Sequence, residues 1–209
     1  MGCGGGKSAP PSIGTFTDNR DGKTYKIVQI GRQVWFAENL NYDVPDDTSD
    51  VCYENIAENC ERYGRLYNWE AAKQACPAGW HLSTAAEWKT LVNYAGGEWI
   101  AAMNLKSRTG WDSYEEKSGN GTDIYGFSAL PGGYGYGNVY YADEYGYGSG
   151  DFYCAGIFGY WWSATEYGAD YARCWGMNYR HEYMHWSDSR KTAPSSVRCV
   201  ADKRKEAKK

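Results

Sequence analysis

Cys76-Pro77-Ala78-Gly79-Trp80-His81-Leu82-Ser83-Thr84-Ala85-Ala86-Glu87-Trp88 is the stretch on which the fold turns. Pro77 and Gly79 stop the helical periodicity that Leu66, Trp69, Ala72 and Cys76 carry through residues 65–76. Thr84 then opens a second helix. Glu87, three positions on, completes a capping box in which the two side chains satisfy each other's free backbone N–H groups. Trp88, Leu91 and Val92 give this helix its apolar face, and Gly96-Gly97 ends it. A shorter helical piece is expected over residues 98–106.

Strands lie on both sides of this helical centre. On the N-terminal side, Lys23-Thr24-Tyr25-Lys26-Ile27-Val28-Gln29-Ile30 alternates like a half-buried strand. Gly31-Arg32 makes a tight turn into Gln33-Val34-Trp35-Phe36-Ala37, the second arm of a hairpin. An acidic loop (Asp43, Asp46, Asp47, Asp50) leads to Cys52 and Cys60, whose spacing suits a local disulfide-closed loop. On the C-terminal side the texture changes at Ser107 to Gly, Tyr and Trp. Residues 134–186 hold 18 of the chain's 35 aromatic residues. Segments 157–165, 171–179, 183–189 and 196–201 read as strands by their β-branched and aromatic content. Strands, then helices, then strands imply an α+β domain and not a wound parallel sheet. The expected division is a leader at 1–14, one domain at 15–202 and a basic tail at 203–209.

Composition narrows the class. Leu, Ile, Val and Phe number 26 in 209 residues, few enough to raise the question of disorder. A net charge of −4 and 35 aromatics argue instead for a core built of Trp and Tyr, with glycines letting backbones pass close to rings. No apolar run approaches the ~20 residues of a membrane span. Residues 1–202 carry 17 basic and 25 acidic side chains, so nucleic acid is not an expected partner. Six of the seven cysteines fall in the folded region, which suggests three disulfides and an oxidising compartment. No two cysteines stand two to four residues apart, so a zinc site is the poorer reading. Gly2-Cys3 followed by small residues looks like the end of a bacterial lipoprotein signal. In that reading Cys3 carries a lipid, Gly4 to Pro11 form a tether, and the domain sits at the cell envelope with the lipid as its membrane contact.

Several stretches together resemble one family. They are Gly31-Arg32-Gln33-Val34-Trp35, Tyr63-Gly64-Arg65-Leu66-Tyr67-Asn68-Trp69, Cys76-Pro77-Ala78-Gly79-Trp80-His81-Leu82 and Ala86-Glu87-Trp88. Gly119-Asn120-Gly121-Thr122-Asp123, Gly126-Phe127-Ser128-Ala129-Leu130-Pro131, Trp161-Trp162-Ser163-Ala164-Thr165-Glu166 and Ser196-Val197-Arg198-Cys199-Val200 follow in order. The pattern, from about Thr15 to Asp202, is similar to the Fibrobacter succinogenes major paralogous domain. It departs at Ser83, where the family usually places proline. The resemblance implies a secreted or surface lipoprotein domain of C-type-lectin-like fold, related at that level to formylglycine-generating enzymes. It assigns no activity, since function belongs to sites and not to folds. It also implies that a cysteine at the end of the first helix, Cys76, joins one in the last strand, Cys199. Cys52–Cys60 then closes the local loop, and Cys154–Cys174 remains as a third pair.

His181-Glu182-Tyr183-Met184-His185 fits H-E-x-x-H, which on a helix binds zinc with the glutamate as general base. Its setting among Trp175, Tyr179, Tyr183 and Trp186 predicts sheet or hairpin instead, so no metal or other cofactor is expected. No Gly-x-Ser-x-Gly elbow occurs. Glu166, Asp170 and Glu182 offer a glycosidase pair only in the sense that many carboxylates would. Cys154 and Cys174 fit no motif for oxidase chemistry. The acidic loop motifs of calcium-dependent lectins are missing, although Asp143, Glu144 and Asp151 suit a structural ion.

What remains is an aromatic surface. Tyr and Trp present flat apolar faces with polar edges, suited to stacking on sugar rings or anchoring a protein at small entropy cost. The expected ligand-binding residues are Trp175, Asn178, Tyr179, Arg180, His181, Tyr183, His185 and Trp186. Tyr134 and Tyr136, from a glycine-tyrosine loop running to Tyr147, are expected to form one wall. Trp161, Trp162 and Trp175 are equally the first candidates for the core. The reading that follows is a non-catalytic surface module that binds polysaccharide without calcium. Its alternative is a diversified, adhesin-type surface for a cell-surface protein, varying over 175–187.

Overall fold

Thr84 Oγ1 accepts the Glu87 N–H at 3.2 Å, and the Glu87 carboxylate accepts the Thr84 N–H at 2.9 Å. The expected capping box thus opens the helix that organises the core. The computed structural model describes residues 13–45, 50–135 and 152–203; Cys3 and Tyr136 lie outside them. The N-terminal strands are β1 (Ile13–Thr17), β2 (Thr24–Ile30) and β3 (Gln33–Phe36). The helical centre holds β4 (Asp50–Val51), α1 (Ala57–Tyr63), β5 (Leu66–Tyr67), α2 (Trp69–Ala75), β6 (Trp80–Leu82), α3 (Ala85–Tyr94) and α4 (Ala101–Leu105). Beyond it come β7 (Ser113–Tyr114), β8 (Lys117–Ser118), β9 (Tyr134–Gly135) and β10 (Phe152–Tyr153). The C-terminal strands are β11 (Phe158–Glu166), β12 (Tyr171–Asn178), β13 (Met184–Arg190) and β14 (Cys199–Ala201).

The architecture is α+β, with small antiparallel sheets, few helices and two disulfides. β1, β2 and β3 form a meander, and β14 returns from the end of the chain to lie between β3 and β6. β11, β12 and β13 form a second sheet in that order. Trp88 of α3 joins the two sheets, with its ring 4.9 Å from Trp35 on β3, 6.2 Å from Trp161 on β11 and 6.3 Å from Trp175 on β12. A second cluster packs Trp69, Ala72 and Ala75 of α2 against Phe36, Leu82, Trp162 and Cys174. Arg198 is fully buried and makes no ion pair among the described residues, with Glu38 and Asp123 acting on it only through space. Its guanidinium donates instead to Asn39 Oδ1 and to the carbonyls of Phe36, Phe127 and Ser128, and burial pushes its pKa down to about 9.

Several expectations are corrected. Leu66 and Tyr67 are strand, paired with Val51 and Asp50. Gly64 at φ +76° breaks the chain before them, and Asn68, whose side chain accepts the Ala71 N–H, caps α2 only from Trp69 on. The helix expected over 98–106 is confined to Ala101–Leu105, and the last strand to Cys199–Ala201. Ile13 and Gly14, read as leader, belong to β1 and pair with Val28 and Ile27 of β2. No helix among the described residues is long and apolar enough to cross a membrane.

Two of the three disulfides form. Cys52–Cys60 closes the local loop, and Cys76–Cys199 ties the end of α2 to the last strand across 123 residues. A loop that long is worth about 5 kcal/mol in the chain-entropy account. Cys154 and Cys174 are free thiols. Cys154 takes φ +64° ahead of β11, and its carbonyl accepts the N–H groups of Ile157 and Phe158, so it sits at the Phe158 end of that strand. Cys174 pairs with Trp162, four residues along. At ~3.3 Å per residue the two stand roughly 13 Å apart, beyond the reach of a disulfide.

Candidate ligand-binding surface

Alternation along β11, β12 and β13 sorts the aromatic residues onto two faces. Trp161, Trp175 and Trp186 stand abreast in the register, and Tyr160, Gly176 and His185 stand abreast one residue away, pointing to the opposite face. The first row begins in the core: Trp161 is fully buried, and Trp175, at 3% exposed, stacks on Trp88. Trp175 therefore leaves the ligand-binding set. Trp186, on the edge strand, is 49% exposed.

The second row carries a continuous band of rings. Tyr153 meets Tyr134 at 5.8 Å, Tyr134 meets Tyr160 at 5.4 Å, and Phe158 stacks beside Tyr160 at 5.7 Å. Tyr160 meets His185 edge-on at 5.9 Å, and His185 meets Tyr183 at 6.1 Å. Tyr183 stacks on His181 at 4.6 Å and meets Trp99 edge-on at 6.3 Å. Trp99, in the turn ahead of α4, is 83% exposed, the largest value among the exposed large hydrophobic residues. Gly176 makes the centre of the band possible. A Cβ there would come within 2.6 Å of Tyr160 Cε1 and 2.7 Å of His185 Nε2.

The turn that presents His181 and Tyr183 is fixed from below by α4. The Glu182 carbonyl accepts the N–H groups of Ala102 and Met103, and Met184 N–H donates to the Glu98 carbonyl. Lys106, buried, donates through Nζ to the carbonyls of Asn178 and His181 at 3.3 and 3.2 Å. Burial pushes the Lys106 pKa down to about 8, against the opposing pull of Glu182. Burial, and then the nearby His181, push His185 below its ordinary value. Burial pushes the Tyr160 phenol up to about 12. His185 and Tyr160 are therefore uncharged near neutral pH.

The remaining expected residues lie apart. Asn178, Tyr179 and Arg180 form the hairpin end, where Asn178 Oδ1 accepts the Arg180 N–H and Arg180 Nε donates to the Tyr179 hydroxyl. The Arg180 guanidinium lies 4.0 Å from the Tyr114 ring centroid. His181 and His185 belong to a turn and a strand, not to a helix, and no cluster of three or more His, Cys, Asp or Glu suited to a metal occurs among the described residues. Glu166 pairs with Lys191 at the opposite end of the hairpin from Glu182. Cys174 Sγ lies 3.3 Å from Ser187 Oγ, and burial pushes both free thiols above their ordinary pKa.

Sequence reasoning missed Trp99, Tyr153, Phe158 and Tyr160. Tyr160 was signalled by its place one residue before the core Trp161, which sends it to the other face. Trp99 was signalled by standing just after Gly96-Gly97, where the helical pattern had ended.

The chain matches no curated protein and no solved structure. The sequence profile described as the Fibrobacter succinogenes major domain matches residues 28–201, taking in α1 to α4 and the aromatic band. On that match the protein belongs to the Fibrobacter succinogenes major domain family.

Proposed function

We propose that this is a non-catalytic recognition module of C-type-lectin-like fold that binds polysaccharide through the aromatic band, without calcium. The observation that carries the reading is the run of rings from Tyr160 through His185 and Tyr183 to Trp99, beside one face of the β11–β13 sheet. Rings with one open face and a polar edge stack on pyranose rings while their hydroxyl and imidazole groups serve the sugar hydroxyls. The uncharged state of Tyr160 and His185 suits a neutral glycan. The tie from the helix end to the last strand, Cys76–Cys199, supports the lectin-like reading. Two disulfides support an oxidising location such as the cell envelope, where a lipid on Cys3 would hold the domain.

The test is calorimetric titration with soluble neutral β-glucan, xylan and mannan oligosaccharides, with and without EDTA. Binding that survives EDTA and falls at least tenfold in Trp99→Ala and Tyr183→Ala is expected. Binding abolished by EDTA would overturn the calcium-free mechanism. Binding unchanged in both variants would remove the band from the site. No binding to any of the three would turn the search to protein partners.

A further inference from the structure

The other face of the same sheet carries a second constellation, at the end where β12 and β13 leave the core. The Arg173 guanidinium lies 4.0 Å from the Trp186 ring centroid and 5.8 Å from that of Tyr167. Its Nε donates to Asp188 at 3.3 Å. The two terminal nitrogens make no hydrogen bond among the described residues, and the side chain is 26% exposed. Arg190 lies over Tyr171 at 5.8 Å, and both are exposed. Trp186 and Tyr167 are 49% and 58% exposed. Asp188 faces Arg173, and Glu166, paired with Lys191, and Asp170 lie at the same end of the strands, so the charges here are mixed and the free feature is the outer edge of the Arg173 guanidinium.

We infer that this patch binds the carboxylate of an acidic polysaccharide, a uronate residue, with Arg173 as the receptor. An arginine held on two rings and tied at Nε has lost most of its rotamer freedom before any ligand arrives. Its outer pair of N–H groups matches the two oxygens of a carboxylate. The exposed rings beside it offer stacking faces for the sugar that bears the acid. An acidic peptide adding to β13 as a further strand fits less well. Met184 N–H is taken by the Glu98 carbonyl and the Arg190 carbonyl by Ala193 N–H, so among the outward-facing residues of β13 only Trp186 and Asp188 keep both edge groups free of a described backbone partner. Two residues are short of the usual strand of five or six.

The test titrates the full chain with hexagalacturonate, its methyl ester and a poly-glutamate peptide. Hexagalacturonate should bind, at least tenfold more tightly than the ester, and weaken as salt rises. Arg173→Lys, which keeps the charge and removes the fork, should lose at least tenfold with an unchanged melting temperature. Trp186→Ala, at an exposed position, should lose affinity as well and stands in if the arginine variant misfolds. Equal binding of acid and ester, wild-type affinity in both variants, or equally tight poly-glutamate would overturn the inference. Tyr183→Ala should leave hexagalacturonate binding intact. Neutral-glycan binding without uronate binding would sink this site alone, and the reverse result would sink only the aromatic band.

Discussion

The two faces of β11, β12 and β13 are built from neighbouring residues of the same strands, yet they do different work. The row Trp161–Trp175 presents large apolar rings to Trp88 and disappears into the core. The row Tyr160–Gly176–His185, one residue away, presents smaller rings with polar atoms and keeps them half-exposed. A polar edge costs free energy when buried without a partner, and neither row escapes that cost entirely: Trp175 Nε1 and His185 Nδ1 are both buried with no hydrogen-bond partner among the described residues. The comparison teaches that the period of two, and not the local richness in aromatics, decides which rings are structural and which are available.

The largest expected effect tests the core row. Trp175→Ala should cost about 3–5 kcal/mol of stability in urea denaturation, the usual range for emptying an aromatic core site. A loss below 1 kcal/mol would mean that the two faces are less different than their burial says. Gly176→Ala should cost about 1–3 kcal/mol by forcing Tyr160 and His185 apart, and should weaken neutral-glycan binding with it. An unchanged affinity would show that the ring-to-ring contact over the glycine is dispensable.

Lys106 provides a pH-dependent test of the support beneath the band. Its folded pKa of about 8 lies below the ordinary 10.5, so between these values the unfolded chain binds the extra proton. Stability contributed at this site therefore rises with pH across that window. Relative to Lys106→Met, wild type should gain on the order of 2 kcal/mol between pH 8 and pH 10. A flat difference would mean that the amine is solvated and does not brace the turn. The smallest effects belong to exposed rings: Trp186→Ala and Trp99→Ala should each change stability by less than about 0.5 kcal/mol.

How much was legible in the sequence follows the range of the interaction. The capping box at Thr84 and Glu87 and the Gly31-Arg32 hairpin depend on residues a few positions apart, and both are where the local chemistry puts them. Leu66 and Tyr67 were misread because their helical spacing is a local signal, whereas their strand pairing with Asp50 and Val51 is not. Pairing Cys154 with Cys174 by elimination ignores the register, which sets them four residues apart along β11. The aromatic surface was visible as composition, but its division between Trp186 on one face and His185 on the other needed the register. Trp99 joined it through the fold of a turn that no periodicity describes.

The burial of the tryptophans has an optical consequence. Of the ten, only Trp99 and Trp186 are strongly exposed, while Trp35, Trp88, Trp161 and Trp175 lie close enough to couple as one chromophore group. Fluorescence should thus divide into a blue, quencher-resistant population and a red population open to acrylamide. Replacing either exposed indole by phenylalanine leaves the other as the accessible reporter. Trp99 would then signal occupancy of the neutral-glycan band and Trp186 that of the uronate site, so each ligand carries its own emission change without any label.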